Sequence, residues 1–118
     1  MSSQSERVDT PPQAGLFRCE VVRDGDLGTI RAVGELDLDS VPTLAAEIAQ
    51  VRQAGCRRVV VDLREVSFLD SSGLRLLLDC SAEARQDGHT LALIPGPPAV
   101  QRVFEVTGTT EHLPFVAG

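Results

Sequence analysis

The chemical interest of the chain concentrates in Asp70-Ser71-Ser72-Gly73, an acid, two hydroxyls and a glycine set inside FLDSSGLRLLL, Phe68 to Leu78. Two roles fit these residue types. Ser71 or Ser72 can cap a helix by accepting a free backbone N–H. A serine here can also accept a phosphoryl group, because a helix N-terminus offers unpaired N–H groups and the positive end of its dipole. A phosphate on Ser71 adds about two negative charges beside Asp70 without unfolding the helix. A docked partner then meets bulk and repulsion, which makes the serine an interaction switch. Gly73 needs its own reason. Glycine costs roughly 1 kcal/mol against alanine inside a helix, so its position implies a close approach to the backbone.

Other chemistries find less support. A P-loop ends in Lys-Ser or Lys-Thr, and all 11 basic residues here are arginine. No GxGxxG follows a strand, so no dinucleotide site is expected. A response-regulator receiver has a similar size but needs an acidic pair and a lysine. The frame Leu69 to Gly73 resembles a nucleophile elbow only loosely, because G-x-S-x-G lacks its first glycine. His89 and His112 are the sole imidazoles, each in a loop after a helix, and are read as solvated. Two distant histidines and dispersed cysteines form no metal site. No enzyme activity, cofactor or metal is expected.

These residues must be positioned by regular elements. Phe17, Cys19 and Val21 alternate with Arg18 and Glu20, the period of a half-buried strand. Arg23-Asp24-Gly25-Asp26 supplies turn chemistry, and Thr29 to Val33 completes a hairpin. Gly34-Glu35-Leu36-Asp37 ends that strand. A helix follows, with Asp39 or Ser40 as cap, Pro42 in the first turn and Leu44, Ile48 and Val51 on one apolar stripe. Arg57 to Leu63 is a continuous β-branched run, the mark of a strand buried on both faces.

From Ser72 to Gln86 the pattern is helical, with Leu74, Leu77, Leu78, Ser81 and Ala84 inward and Gly88 closing it. Leu76 projects away from that face, one turn from the serines, and is a candidate partner contact. Thr90 to Ile94 is another buried strand. Strand, helix and strand make a βαβ unit. Ala99 to Val106 forms a last helix with Val100, Val103 and Phe104 inward, and Leu113 to Val116 adds an edge piece. The expected fold is α/β: a mixed sheet of about four strands, a hairpin followed by a parallel βαβ, flanked by about three helices.

The 118 residues suit one domain. Residues 1–14 are polar and proline-containing, and are expected to form a disordered leader rather than a signal peptide, with the domain over 15–118. The net charge of −6 argues against nucleic acid or an anionic membrane as partner. No apolar run reaches the roughly 20 residues of a membrane helix. The 3 cysteines have no pairing spacing and read as free thiols in the cytoplasm.

GELD before a helix, then VVVDLREVSFLDSSGL and PPAVQRVFEVTG, resemble the STAS domain of anti-sigma factor antagonists, from about Leu16 to Phe115. The resemblance implies a partner, an anti-sigma factor that is also an ATP-dependent serine kinase. Binding would release a sigma factor, and phosphorylation would end the binding. It also implies that Ser71, directly after the motif aspartate Asp70, is the phosphoacceptor. It places Glu35, Leu36 and Asp37 beside the helix start. The implied partner surface continues through Ser72, Gly73, Leu74, Arg75 and Leu76. A kinase partner would supply ATP and metal. The family's other uses are a stressosome-type scaffold and an accessory subunit of a lipid transporter. The hairpin edge is expected to allow weak homodimers.

Overall fold

A computed structural model describes residues 16–116; the expected leader lies outside the described residues. The chain runs β1 (Arg18–Asp24), β2 (Leu27–Leu36), α1 (Val41–Gln53), β3 (Arg58–Leu69), α2 (Ser71–Asp87), β4 (Thr90–Ile94) and α3 (Pro98–Thr107), then a short 3-10 turn at Thr110–His112. The strands form one sheet in the order β1-β2-β3-β4. The hairpin β1–β2 is antiparallel, and β2–β3 and β3–β4 are parallel. This is the mixed sheet with three helices that the sequence pattern predicts.

The hairpin closes tightly because Gly25 takes φ +62 between the paired Asp24 and Leu27. Parallel pairs then require crossovers, and α1 and α2 supply them. α1 lays Leu44, Ile48 and Val51 over β1 and β2, whose inward residues include Ile30 and Ala32. α2 packs on β3 and β4, against Val59, Val61, Leu91 and Leu93. Its inward stripe is Leu74, Leu77, Cys80, Ser81 and Ala84; Cys80 is buried and Leu78 only half-buried. α3 packs against β3, and its Phe104 meets Phe115 edge-on at 5.1 Å between ring centroids. The expected edge piece at 113–116 touches the sheet through a single bridge, Leu93 to Phe115. On the open edge strand β1, Glu20 binds both Arg18 and Arg31 and keeps that face charged.

β2 and β3 are longer than the periodicity suggests, because β3 carries two irregularities. Its register against β2 slips between Arg31 and Val33 and again between Gly34 and Glu35. Each slip admits one extra residue on β3 and breaks the alternation of buried and exposed positions. At the first, Asp62 and Leu63 are both buried. The Asp62 carboxylate accepts the Arg64 backbone N–H at 3.0 Å and its guanidinium at 2.9 Å. The second slip lets β3 run on to Leu69, directly before the serines.

Hydrogen bonds from the Arg64 side chain, opposed by burial, hold the Asp62 carboxyl below its ordinary value. A depressed folded value means that the stabilisation is complete above the ordinary carboxylate range and disappears as pH falls through the folded value. At pH 7, Asp62→Asn should cost roughly 1–3 kcal/mol in urea unfolding. The difference from wild type should close below about pH 4. A gap that persists unchanged to pH 2 would show that the carboxylate charge is not its source.

Candidate functional site

β3 ends at Leu69, α2 starts at Ser71, and Asp70 sits between them in extended conformation as the N-cap. The cap is therefore the acid and not a serine. Asp70 Oδ1 accepts the backbone N–H of Ser72 at 2.9 Å and of Gly73 at 3.1 Å. A carboxylate does this better than a hydroxyl, since its charge also faces the positive helix end. Both serines are thereby spared. Ser71 is exposed, and its hydroxyl makes no hydrogen bond among the described residues. Ser72 is half-buried.

The second wall of the site is the loop after β2. Asp70 Oδ2 accepts the Leu38 N–H at 3.3 Å, and the Asp70 N–H donates to Leu36 O at 3.2 Å. The loop is shaped internally by Ser40, which stands at the N-cap of α1 but turns its hydroxyl back. That oxygen accepts the Asp37 N–H at 2.8 Å and donates to Glu35 O at 2.7 Å. Asp37 Oδ1 accepts the N–H groups of Asp39 and Ser40, each at 3.1 Å. Asp70, directly before Ser71, is thus bonded to the same loop that carries Glu35 and Asp37.

Three of the expected surface residues lie beneath it. Leu36 is 0% exposed, and Gly73 and Leu74 are buried. A Cβ on Gly73 would lie 2.6 Å from Leu69 Cδ1 and 2.9 Å from Leu36 O. That is the close approach the glycine implies. These three residues hold the wall and the helix start together and do not face outward. Arg75 is exposed, with Asp79 at 3.9 Å one turn on; a pair this open contributes little. Leu76 does not project outward. It is half-buried and packs against the core.

The apolar groups that do stand free are Leu38, 70% exposed, and Phe68, 49% exposed. Phe68 pairs with Glu35 across β2–β3. Reading β3 as ending at Leu63 hides Phe68. The signal for it was the continuing pattern Val66 in, Phe68 out, Leu69 in. Leu38 was detectable as an apolar residue between two acids in a capping loop. The site therefore joins the exposed Ser71 hydroxyl and the Asp70 carboxylate to an acidic rim, the loop of Glu35, Asp37 and Asp39 that also carries Leu38. Phe68 lies beside Glu35 on the strand face opposite Leu69.

His89 lies at the opposite end of α2, about 25 Å from Ser71 by helix rise, so it forms no base for that serine. It is not the solvated histidine expected, since its ring is only 13% exposed. His112 is exposed. Among the described residues, no group of three or more His, Cys, Asp or Glu is placed to hold a metal, and no helix is long and apolar enough to cross a membrane.

Known proteins resemble this chain in sequence and fold. Residues 19–116 match the family model described as "Mlab, STAS domain". An anti-sigma-B factor antagonist of Staphylococcus aureus is 34% identical over 79 residues, covering 67% of this chain and 73% of the relative. The unphosphorylated form of the anti-sigma factor antagonist SpoIIAA superposes with a TM-score of 0.68 at 26% identity, over 86% of this chain and 89% of that one. The phosphorylated form of the Bacillus cell fate determinant SpoIIAA gives a TM-score of 0.63 at 25% identity, over 86% and 92%.

Gly73→Ala tests whether the wall is as rigid as its contacts suggest. Overpacking against Leu69 and the Leu36 carbonyl should destabilise the fold by roughly 1–3 kcal/mol in chemical denaturation. A variant stabilised by the helix propensity of alanine would mean that the wall gives way freely.

Proposed function

This chain belongs to the STAS-domain family, and we propose that it is an anti-sigma factor antagonist switched by phosphorylation of Ser71. The observation that carries the reading is the unbonded, exposed Ser71 hydroxyl on the first turn of α2, with Asp70 performing the capping in its place. The names of the S. aureus relative and of SpoIIAA support it, as does the existence of a phosphorylated form of SpoIIAA. The partner is an anti-sigma factor serine kinase, which brings the ATP and the metal. This chain is its ligand and its substrate, and acts in the cytoplasm.

In the unmodified state the partner covers Leu38 and Phe68 and meets the polar rim of Glu35, Asp37, Ser71, Ser72 and Arg75. Buried apolar anchors carry most of the affinity in such a patch. The acidic rim favours a partner face rich in basic groups and speeds encounter. The kinase transfers the γ-phosphoryl of ATP to Ser71 Oγ, which loses its proton, and ADP leaves. The new dianion then stands among Asp70, Glu35 and Asp37. Its bulk and charge oppose redocking, while the helix dipole keeps its cost to the fold small.

Ser71→Ala should bind the partner and incorporate no phosphate from labelled ATP; label entering that variant would displace the assignment. Ser71→Asp should weaken binding by about tenfold or more with native circular dichroism. A melted spectrum would make the serine structural. Leu38→Ala with Phe68→Ala should lower affinity by about ten- to a hundredfold at an unchanged melting temperature. Unchanged affinity would remove these two side chains from the interface. The reading as a whole is tested by affinity capture from the native cytoplasm with mass spectrometry. A kinase-type anti-sigma factor is expected, and recovery of lipid-transporter subunits in its place would overturn it.

A further inference from the structure

A cavity of about 530 Å³ opens at the far end of α2 from Ser71, between the last turns of α1, the turn into β3 and the turn from α2 to β4. Arg52, Gln53, Cys56, Arg57, Asp87 and His89 line it. In a chain of net charge −6, two guanidinium groups and an imidazole around one cavity are a local exception.

Arg52 reaches from α1 to α2, where Glu83 accepts at 3.3 Å and Asp87 Oδ2 at 3.0 Å. Its charge is thus shared with carboxylates. Arg57 donates one bond, to Gly88 O at 3.3 Å, and has no carboxylate partner among the described residues. Neither ring nitrogen of His89 has a hydrogen-bond partner among the described residues, although both are shielded from solvent. Asp87 Oδ2 lies 3.9 Å from His89 Nε2, too far to serve as an acceptor. Asp87 Oδ1 makes no hydrogen bond among the described residues. The Asp87 side chain is 58% exposed, so this oxygen faces the open cavity, whereas the two His89 nitrogens are buried and unmet, which is costly and uncommon. Burial, followed by the charge of Arg52, lowers the His89 pKa, with Asp87 and Glu83 opposing and Arg57 adding to the depression. The imidazole is therefore neutral, with one N–H to donate and one nitrogen to accept.

We propose that this cavity binds inorganic phosphate, the phosphate oxyanion that still carries a P–OH at neutral pH. Arg57 and Arg52 provide the charged donors, and the His89 ring forms part of the wall beside them. The free Asp87 oxygen accepts the P–OH proton. That carboxylate sets the selectivity. Sulfate has the same size and shape but carries no proton at neutral pH, so it would face Asp87 with bare repulsion. The site is independent of the Ser71 switch and stands whether or not that reading does.

The test is a titration of the isotopically labelled full chain, followed through the ring resonances of His89 with exposed His112 as internal reference. The probes are sodium phosphate, glycerol 1-phosphate and sodium sulfate, with sodium chloride at matched ionic strength. Phosphate should shift His89 saturably, raise its measured pKa and leave His112 unmoved. Sulfate should bind about tenfold or more weakly, since it loses a hydrogen bond to a charged group. Glycerol 1-phosphate, mostly an unprotonated dianion at neutral pH, should bind as weakly as sulfate, and binding as tight as that of phosphate would overturn the role given to Asp87. Arg57→Ala, at an exposed position, should weaken phosphate by about tenfold or more with native circular dichroism. Asp87→Asn should abolish the preference over sulfate. A His89 signal that ignores phosphate, or that moves equally with sulfate and chloride, overturns the proposal.

Discussion

One carboxylate joins the two halves of the candidate site. Asp70 spends Oδ1 on the first amides of α2 and Oδ2 on the amide of Leu38. The helix start and the loop after β2 therefore cannot move separately. Because the acid performs the capping, the neighbouring hydroxyl is left without a structural task. A serine that capped the helix could not be esterified without exposing amides; Ser71 can. Capping thus rests on Asp70 alone, so a phosphate on the adjacent Ser71, as proposed, would not have to melt the helix beneath it.

Below that carboxylate, tight packing fixes the geometry. Gly73 brings the α2 backbone against Leu69 and the Leu36 carbonyl. Leu36 and Leu69 are themselves paired across β2–β3. The rim above them is built from short polar contacts within Glu35 to Ser40. The exposed part of the site is thus a thin layer held from underneath by residues that no partner can reach.

Much of this was legible in the residues. The hairpin, the stripe on α1, the βαβ unit and the serine pair at a helix start all follow from periodicity and turn chemistry. The glycine in the first turn correctly signalled a close approach. What escaped has physical causes. The two slips in β3 break period two, so its last residues and Phe68 do not read as strand. Leu76 was assigned by helical angle alone, but the apolar face of α2 is wider than its central stripe. Asp70 as cap rests on local bonds to Ser72 and Gly73, but three adjacent residues could each cap and the pattern does not choose among them. The inward His89 depends on contacts between residues far apart in sequence. Ser71 was distinguished from Ser72 by resemblance and not by local chemistry.

The parallel pairing of β2 with β3 has a further consequence. Ile30 pairs with Val61, and Glu35 with Phe68, across the whole of the α1 crossover. Such long-range pairings are late and slow compared with hairpins and helices. Neither the rim nor the serine beside it exists on a nascent or partly unfolded chain. A partner that recognises this composite surface therefore also reads whether the chain has finished folding. Under the proposed function, immature copies would be invisible to it until the central strand is in place.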